Sequence, residues 1–336
     1  MAELPAAPDA LVDERGQARF GAWSGRVADS SLARLEGEAR RQGWRRLASE
    51  KRWHFAFVAA EEFFAGAAIV QLGYLANTFL YVFDRRERRM LVERSFLVPP
   101  PLVTLDDSAA RGHARLRHPL AHVLIEASAS EGRFEAHTGR TAIEVSFRPQ
   151  AAPPPLTAIC PVLGGGVTLT QKTVCVPADG EVRAAGRTFR FKGALAGLDY
   201  SHGYLGRETR WRWAMACGRL KDGRTVGLNL VEGHNDGAVT ENGLWIDGRL
   251  SQPGHAYFEF DERDPLRPWR IRTDDGRIDL GFASEGARSE DIDLKLIVSQ
   301  YVQLMGSFSG TVKDESGAAI PIAGLPGVVE RHRARW

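Results

Sequence analysis

Apolar and polar residues alternate with a period of two along most of this chain, in short runs broken by turn residues. That period predicts β-strands with one buried face. In the first half, "TFLYVFD" and "RMLVERSF" flank the charged tip "RRER", and "HVLIEAS", "RFEAHT" and "TAIEVSF" follow one another across "ASEG" and "GR". The second half continues in the same style through "RTFRFKGAL", "WRWAMACGRL", "TVGLNLVEG", "GLWIDGRL", "AYFEFD", "WRIRTD", "IDLGFAS", "DLKLIVSQ" and "SFSGTV", with "KDG", "DDG" and "DESG" as turns. One stretch has helical spacing: "SSLARLEGEARRQ", Ser30 to Gln42, puts Leu32, Leu35 and Ala39 on one face and predicts a short N-terminal helix. No helical pattern separates the strands, so parallel βαβ architecture is disfavoured and large antiparallel sheets are expected. The run Phe63 to Phe83 is interrupted by Gln71, Gly73 and Asn77 and reads as two strands rather than a membrane span. The Pro-rich stretch Arg148 to Pro161 cannot continue a central strand, because proline lacks the ladder donor. It is the expected linker, dividing the chain into domains at 1–150 and 151–336.

Composition narrows the picture. A chain of 336 residues, 43% hydrophobic, is long enough for two domains with buried cores. With 44 Lys and Arg against 42 Asp and Glu, the net charge of +2 gives no reason to expect nucleic acid or an anionic membrane surface as a partner. The opening "MAELPAAPDALVDERG" carries neither a basic leader nor an apolar stretch, which makes the cytoplasm the expected location. Three cysteines, Cys160, Cys175 and Cys217, have no CxxC spacing, so neither a disulfide scaffold nor a thiolate zinc site is expected.

The densest chemistry lies in "GLDYSHGYLGRETRWRWAMACG", Gly197 to Gly218. Strand alternation places Arg207, Thr209, Trp211, Trp213, Met215 and Cys217 on one face, and Glu208, Arg210, Arg212 and Ala214 on the other. The charged set reads as a solvated outer face, the tryptophans as an apolar wall. Arg207 at the end of that wall needs an anion, since an unpaired buried guanidinium is costly. Asp199 is the nearest acid on the other side of the "SHGYLG" turn, and a hairpin-like return would gather His202 and Tyr204 around the pair. Two readings stand side by side: a site, or a structural ion pair closing a barrel end.

Other stretches add candidates. "NLVEGHNDGAVTENGLW" supplies Glu232 and His234 at shared parity, with Trp245 beyond. "KRWHF" sets Trp53 and Phe55 on one strand face and Arg52 and His54 on the other. No HxH or HExxH spacing supports a metal site, and "LGGGV" lacks the lysine and helix of a phosphate loop. The late strand "QLMGSFSGTV" presents small residues on both faces and is expected beside the Trp211 strand.

The stretches "KRWHF", "GYLANTFLYVFD", "LDYSHGYLGRETRWRWA", "YVQLMGSFSGTV" and "GLPGVVERHRARW" resemble the bacterial domain-of-unknown-function family 2804, over nearly the whole chain. That family resembles the AttH-like and carotenoid hydratase families. The resemblance implies an all-β chain of two lipocalin-like (calycin) barrels in tandem and, where such proteins are active, chemistry on isoprenoid or polyketide-like molecules.

The expectation is therefore an apolar small molecule held in a barrel or between domains. Thr209, Trp211, Trp213, Glu232, His234, Trp245, Trp53 and His54 would line the site, and Asp199, His202, Tyr204 and Arg207 would form its polar end. If the protein is an enzyme, acid/base hydration, elimination or cyclisation without any cofactor follows. His202 or Asp199 would move the proton, Arg207 and Tyr204 would hold an oxygen, and the indoles would face a developing cation. A pure carrier, with Arg207 on a head group, and a structural protein whose polar cluster only locks two domains together are the rivals.

Overall fold

The computed structural model describes residues 3–293, 295 and 298–335. It is an all-β chain whose described strands form two curled antiparallel sheets, one of thirteen strands and one of nine. The first sheet gathers strands from Gly21–Ser24 through Arg187–Tyr204, and the second runs from Glu208–Arg219 to Ala319–Arg335. Part of the predicted "DLKLIVSQ" strand falls on Leu294, Leu296 and Ile297, outside the described residues.

The alternating runs explain the layering. Inward-facing residues of the first sheet, such as Val58, Ile69, Val123, Phe134 and Val182, pack with one another and fill the interior of its curl. Leu228, Ile271, Phe282 and Phe308 do the same in the second sheet. A third apolar layer joins the sheets, with Phe55, Phe57, Phe64 and Phe79 meeting Trp213, Met215, Tyr301 and Val328. A fourth lies under the N-terminal segment, where Leu11, Val27, Leu32 and Leu35 cover Tyr200 and Tyr204.

Three local expectations change. The helix predicted over Ser30 to Gln42 is a coil with one 3-10 turn at Gly37–Ala39, and the α-helix is instead Gly43–Ser49. Leu32 and Leu35 share a face because both are buried against the first sheet, and Gly37, at a φ of 63°, stops any helix from running on from them to Ala39. The change of sheet falls at residues 205–207, inside the dense motif. The Pro-rich stretch is internal to the first sheet, because Thr141–Phe147 and Leu156–Val162 both pair with Gly166–Ala184. Pro149 and Pro153 to Pro155 sit in a 3-10 turn at Pro149–Ala151 and the connection after it, where no ladder donor is needed, and Pro161 lies next to the end of Leu156–Val162, opposite Val167. A division at residues 150 and 151 thus cuts across one sheet. Lastly, the Val298–Lys313 strand is separated from Glu208–Arg219 by Ala319–Arg335, which pairs with both.

Candidate functional site

The site is built by strand alternation in three central strands. Along Arg187–Tyr204, Leu195 belongs to the layer between the sheets and Asp199 to a cavity there, whereas Tyr200 and Tyr204 pack beneath the N-terminal segment. Glu50–Ala59, its antiparallel neighbour, turns Lys51, Trp53 and Phe55 to the cavity and sends Glu50, Arg52 and His54 the other way. Glu208–Arg219 faces them from the second sheet with Trp211 and Trp213. The cavity has about 150 Å³ of room, and its walls are mostly apolar. Trp53 and Trp211 stack across it, ring centroids 6.2 Å apart and 13° from parallel. Leu75, Leu97, Ile292 and Ser299, all partly exposed, lie at its rim.

One end of the floor is an ion bridge. Lys172 Nζ lies 2.7 Å from Asp199 Oδ1 and 2.9 Å from Glu241 Oε2, all three side chains nearly inaccessible. Trp53 Nε1 and Ser201 Oγ also donate to Asp199, at 3.3 and 3.2 Å. Thr170 Oγ1 and Asn235 Nδ2 donate to Glu241, at 3.1 and 3.0 Å. Burial opposes the ammonium, but the two carboxylates outweigh it and hold Lys172 above its usual range. Burial also pushes both acids up. For Glu241, Lys172 and His234 reverse the sign and keep it low; for Asp199, burial and the charge of Glu241 win, and its pKa is raised.

The other end is assembled from the C-terminal strands. Glu330 accepts from Trp211 Nε1 at 2.7 Å and from Gln303 Nε2 at 3.1 Å, and is hydrogen-bonded to Tyr301. Burial dominates these bonds and pushes its carboxyl up to about 7. Arg288, 1% exposed, stacks on Phe79 and Tyr301, its guanidinium carbon 3.8 and 4.8 Å from their centroids. His332 meets Trp211 edge-on at 4.3 Å, and burial with the nearby Arg288 charge holds its pKa down at about 3.

Of the expected residues, the structure brings Asp199, Trp53, Trp211, Trp213 and His234 to the cavity. His202 and Tyr204 are on the opposite face of their strand from Asp199, because positions three and five residues on have reversed parity. His202 Nε2 meets Glu50 Oε1 at 3.0 Å in a network with Arg46, Arg52 and Asp107. Asp199 meets Lys172, not Arg207. Both edges of its strand are already occupied by Gly166–Ala184 and Glu50–Ala59, so no hairpin return forms, and the chain crosses to the other sheet with Arg207 exposed. Thr209 is buried on the second sheet beyond the cavity lining. Glu232 turns outward to Arg212 at 3.3 Å, because the strand ends there and Gly233, at a φ of 87°, breaks the parity shared with His234. Trp245 is buried in the layer between the sheets and donates to Pro154 O at 2.8 Å. His54 is buried on the far face against Tyr200.

Sequence reasoning missed Lys172, Glu330, Arg288 and Tyr301. The available signal was a charged residue inside an otherwise apolar strand pattern, in "TLTQKTVCV" and "GVVERHR". Among the described residues no group of three or more His, Cys, Asp or Glu is placed to hold a metal ion, and no helix is long and apolar enough to cross a membrane.

Among known protein families, the model described as "Domain of unknown function (DUF2804)" matches residues 2–336. No curated protein sequence matches the chain. Solved structures similar to it include an AttH-like protein from Nitrosomonas europaea, at 10% identity over 84% of this chain and 92% of that one, TM-score 0.48. Another is kievitone hydratase from Nectria haematococca, at 9% identity over 93% and 97%, TM-score 0.49. A third is CghA with Sch210972, at 13% identity over 98% and 97%, TM-score 0.45.

Proposed function

We propose that this chain, which belongs to the DUF2804 family, encloses an apolar small molecule between its two sheets and moves a proton on or off it through Glu330. One observation carries the reading: Glu330 lines an aromatic-walled cavity while pinned by Trp211, Gln303 and Tyr301, and burial brings its carboxyl close to neutral pH. A carboxyl that titrates near 7 serves as either acid or base at the pH of a cell. Trp53, Trp211 and Trp213 supply the flat apolar surfaces for the ligand. The reaction class is gain or loss of water, or cyclisation, with protein groups alone moving the proton.

The Lys172 bridge favours a second role for its own part of the floor. Lys172 and Asp199 come from the first sheet and Glu241 from the loop before Gly243–Ile246 of the second, so the bridge ties the two sheets together. Asp199 and Glu241 are accordingly assigned to holding the cavity closed.

The test is mass spectrometry of molecules extracted from the native wild-type protein and from Glu330→Gln, followed by incubation of each molecule with each protein. The wild type should convert its ligand and the variant should retain it unconverted. Recovery of one molecule from both, unchanged by either, would leave a carrier and remove the proton-transfer step. An empty cavity in both would defeat the reading.

A further inference from the structure

Two polar groups facing the cavity have no hydrogen-bond partner among the described residues: Arg288, at Nε and Nη1, and Gln303, at Oε1. Both residues are 1% exposed, so water at the surface does not satisfy them. Their positions are cross-strand partners on Ile278–Asp293 and Val298–Lys313. Directly opposed side chains start only about 4.5–5.5 Å apart. The orphan N–H groups ask for an acceptor and the orphan amide oxygen asks for a donor, close together. A buried polar group left unmade is costly, so such a pair singles out ligands that complete it.

Charge selects the acceptor. Arg288 already has two carboxylates beside it, Glu93 Oε1 at 3.4 Å from Nε and Glu290 Oε2 at 3.5 Å from Nη2. Both distances exceed the 2.7–2.9 Å of a strong charge-assisted bond, so neither acid satisfies the guanidinium. A carboxylate on the ligand would be the third around one cation; a neutral carbonyl oxygen accepts the same N–H without that repulsion. Stacking on Phe79 and Tyr301 fixes the guanidinium plane before any ligand arrives.

Resting on the cavity reading above, we infer that the ligand is a neutral β-hydroxy carbonyl compound with an apolar body, its carbonyl oxygen on Arg288 and its hydroxyl donating to Gln303. The remaining amide group, Gln303 Nε2, is on Glu330, which places the carboxyl next to the same part of the ligand. Loss of water from such a compound balances within this site. The Glu330 carboxylate takes the proton from the carbon between the two groups, the C–O bond breaks as the C=C bond forms, and the hydroxyl leaves as water with that proton. Addition of water to the conjugated carbonyl is the reverse.

The test is binding to the full-length wild-type protein, followed by tryptophan fluorescence, of five probes with one apolar body. They are the β-hydroxyketone formed from benzaldehyde and acetone, benzylacetone without the hydroxyl, the corresponding alcohol without the carbonyl, butylbenzene with neither group, and β-hydroxy-β-phenylpropionate with a carboxylate. The β-hydroxyketone should bind tightest, and loss of either group should weaken binding about tenfold. Arg288→Met should remove the preference for the carbonyl and keep that for the hydroxyl, and Gln303→Met the converse. Equal binding of all five overturns the inference while leaving the cavity reading intact, as does tightest binding of the carboxylate. No binding even of butylbenzene overturns both. The wild-type probe series decides without the variants should Arg288→Met fail to fold.

Discussion

The two ends of the cavity floor hold buried charge in different ways. At the Lys172 end every carboxylate has an ammonium and neutral donors: Trp53 and Ser201 on Asp199, Thr170 and Asn235 on Glu241. At the Arg288 end the nearest acids stand off at 3.4 and 3.5 Å, and Gln303 Oε1 meets no donor among the described residues. The two cations are about equally buried, Lys172 at 3% and Arg288 at 1% exposure, so burial of the cation does not explain the difference. The Lys172 network has all its groups engaged within the protein, and the open groups at the Arg288 end are those the inferred ligand would complete.

That contrast can be broken at several places. The largest effect belongs to Lys172→Met, which strands two carboxylates and should cost about 3 to 5 kcal/mol in chemical denaturation. Neutralising both acids in the same background, with Asp199→Asn and Glu241→Gln, should recover most of it. A loss under about 1 kcal/mol for the single variant would show that the bridge does not hold the sheets.

Glu330→Gln should act in the opposite direction and only at higher pH. The folded pKa of about 7 lies above the ordinary 4.5, so the native state binds this proton more tightly than the unfolded chain. Its contribution is complete below pH 4.5 and is lost as pH rises through 7. The glutamine variant should therefore match the wild type near pH 4.5 and exceed it at pH 8 by up to about 3 kcal/mol. Parallel stability curves across that range would show that Glu330 is not the group held protonated.

His202→Ala removes the buried partner of Glu50 on the far face and should cost roughly 2 kcal/mol. Tyr204→Phe should cost under about 1 kcal/mol. Both should bind the fluorescence probes like the wild type, because neither side chain reaches the cavity. Loss of binding in a folded His202 or Tyr204 variant would place the far face in the site.

Period-two alternation was enough to read the antiparallel sheets, the Trp211 and Trp213 wall, and the split of Trp53 and Phe55 from Arg52 and His54. The same rule, carried back along one strand, separates Asp199 from His202 and Tyr204; proximity in sequence was a poorer guide than parity. The partners themselves were not legible. Lys172 reaches Glu241 across 69 positions, and Glu330 reaches Trp211 across 119 through pairing that no local pattern records. The Ser30 to Gln42 segment misled for a related reason: leucines buried by tertiary packing can mimic a helical stripe.

The pairing of Glu208–Arg219 with Ala319–Arg335 also has a consequence for synthesis. The first sheet has all its strands once Tyr204 has emerged, but the tryptophan wall that covers its aromatic face remains unpaired on one edge until the last strand leaves the ribosome. At 5–20 residues per second, the nascent chain carries that uncovered surface for on the order of ten seconds. Newly made copies are for that interval the form most exposed to aggregation and most dependent on chaperones, and any cut that removes the C-terminal strand makes the interval permanent.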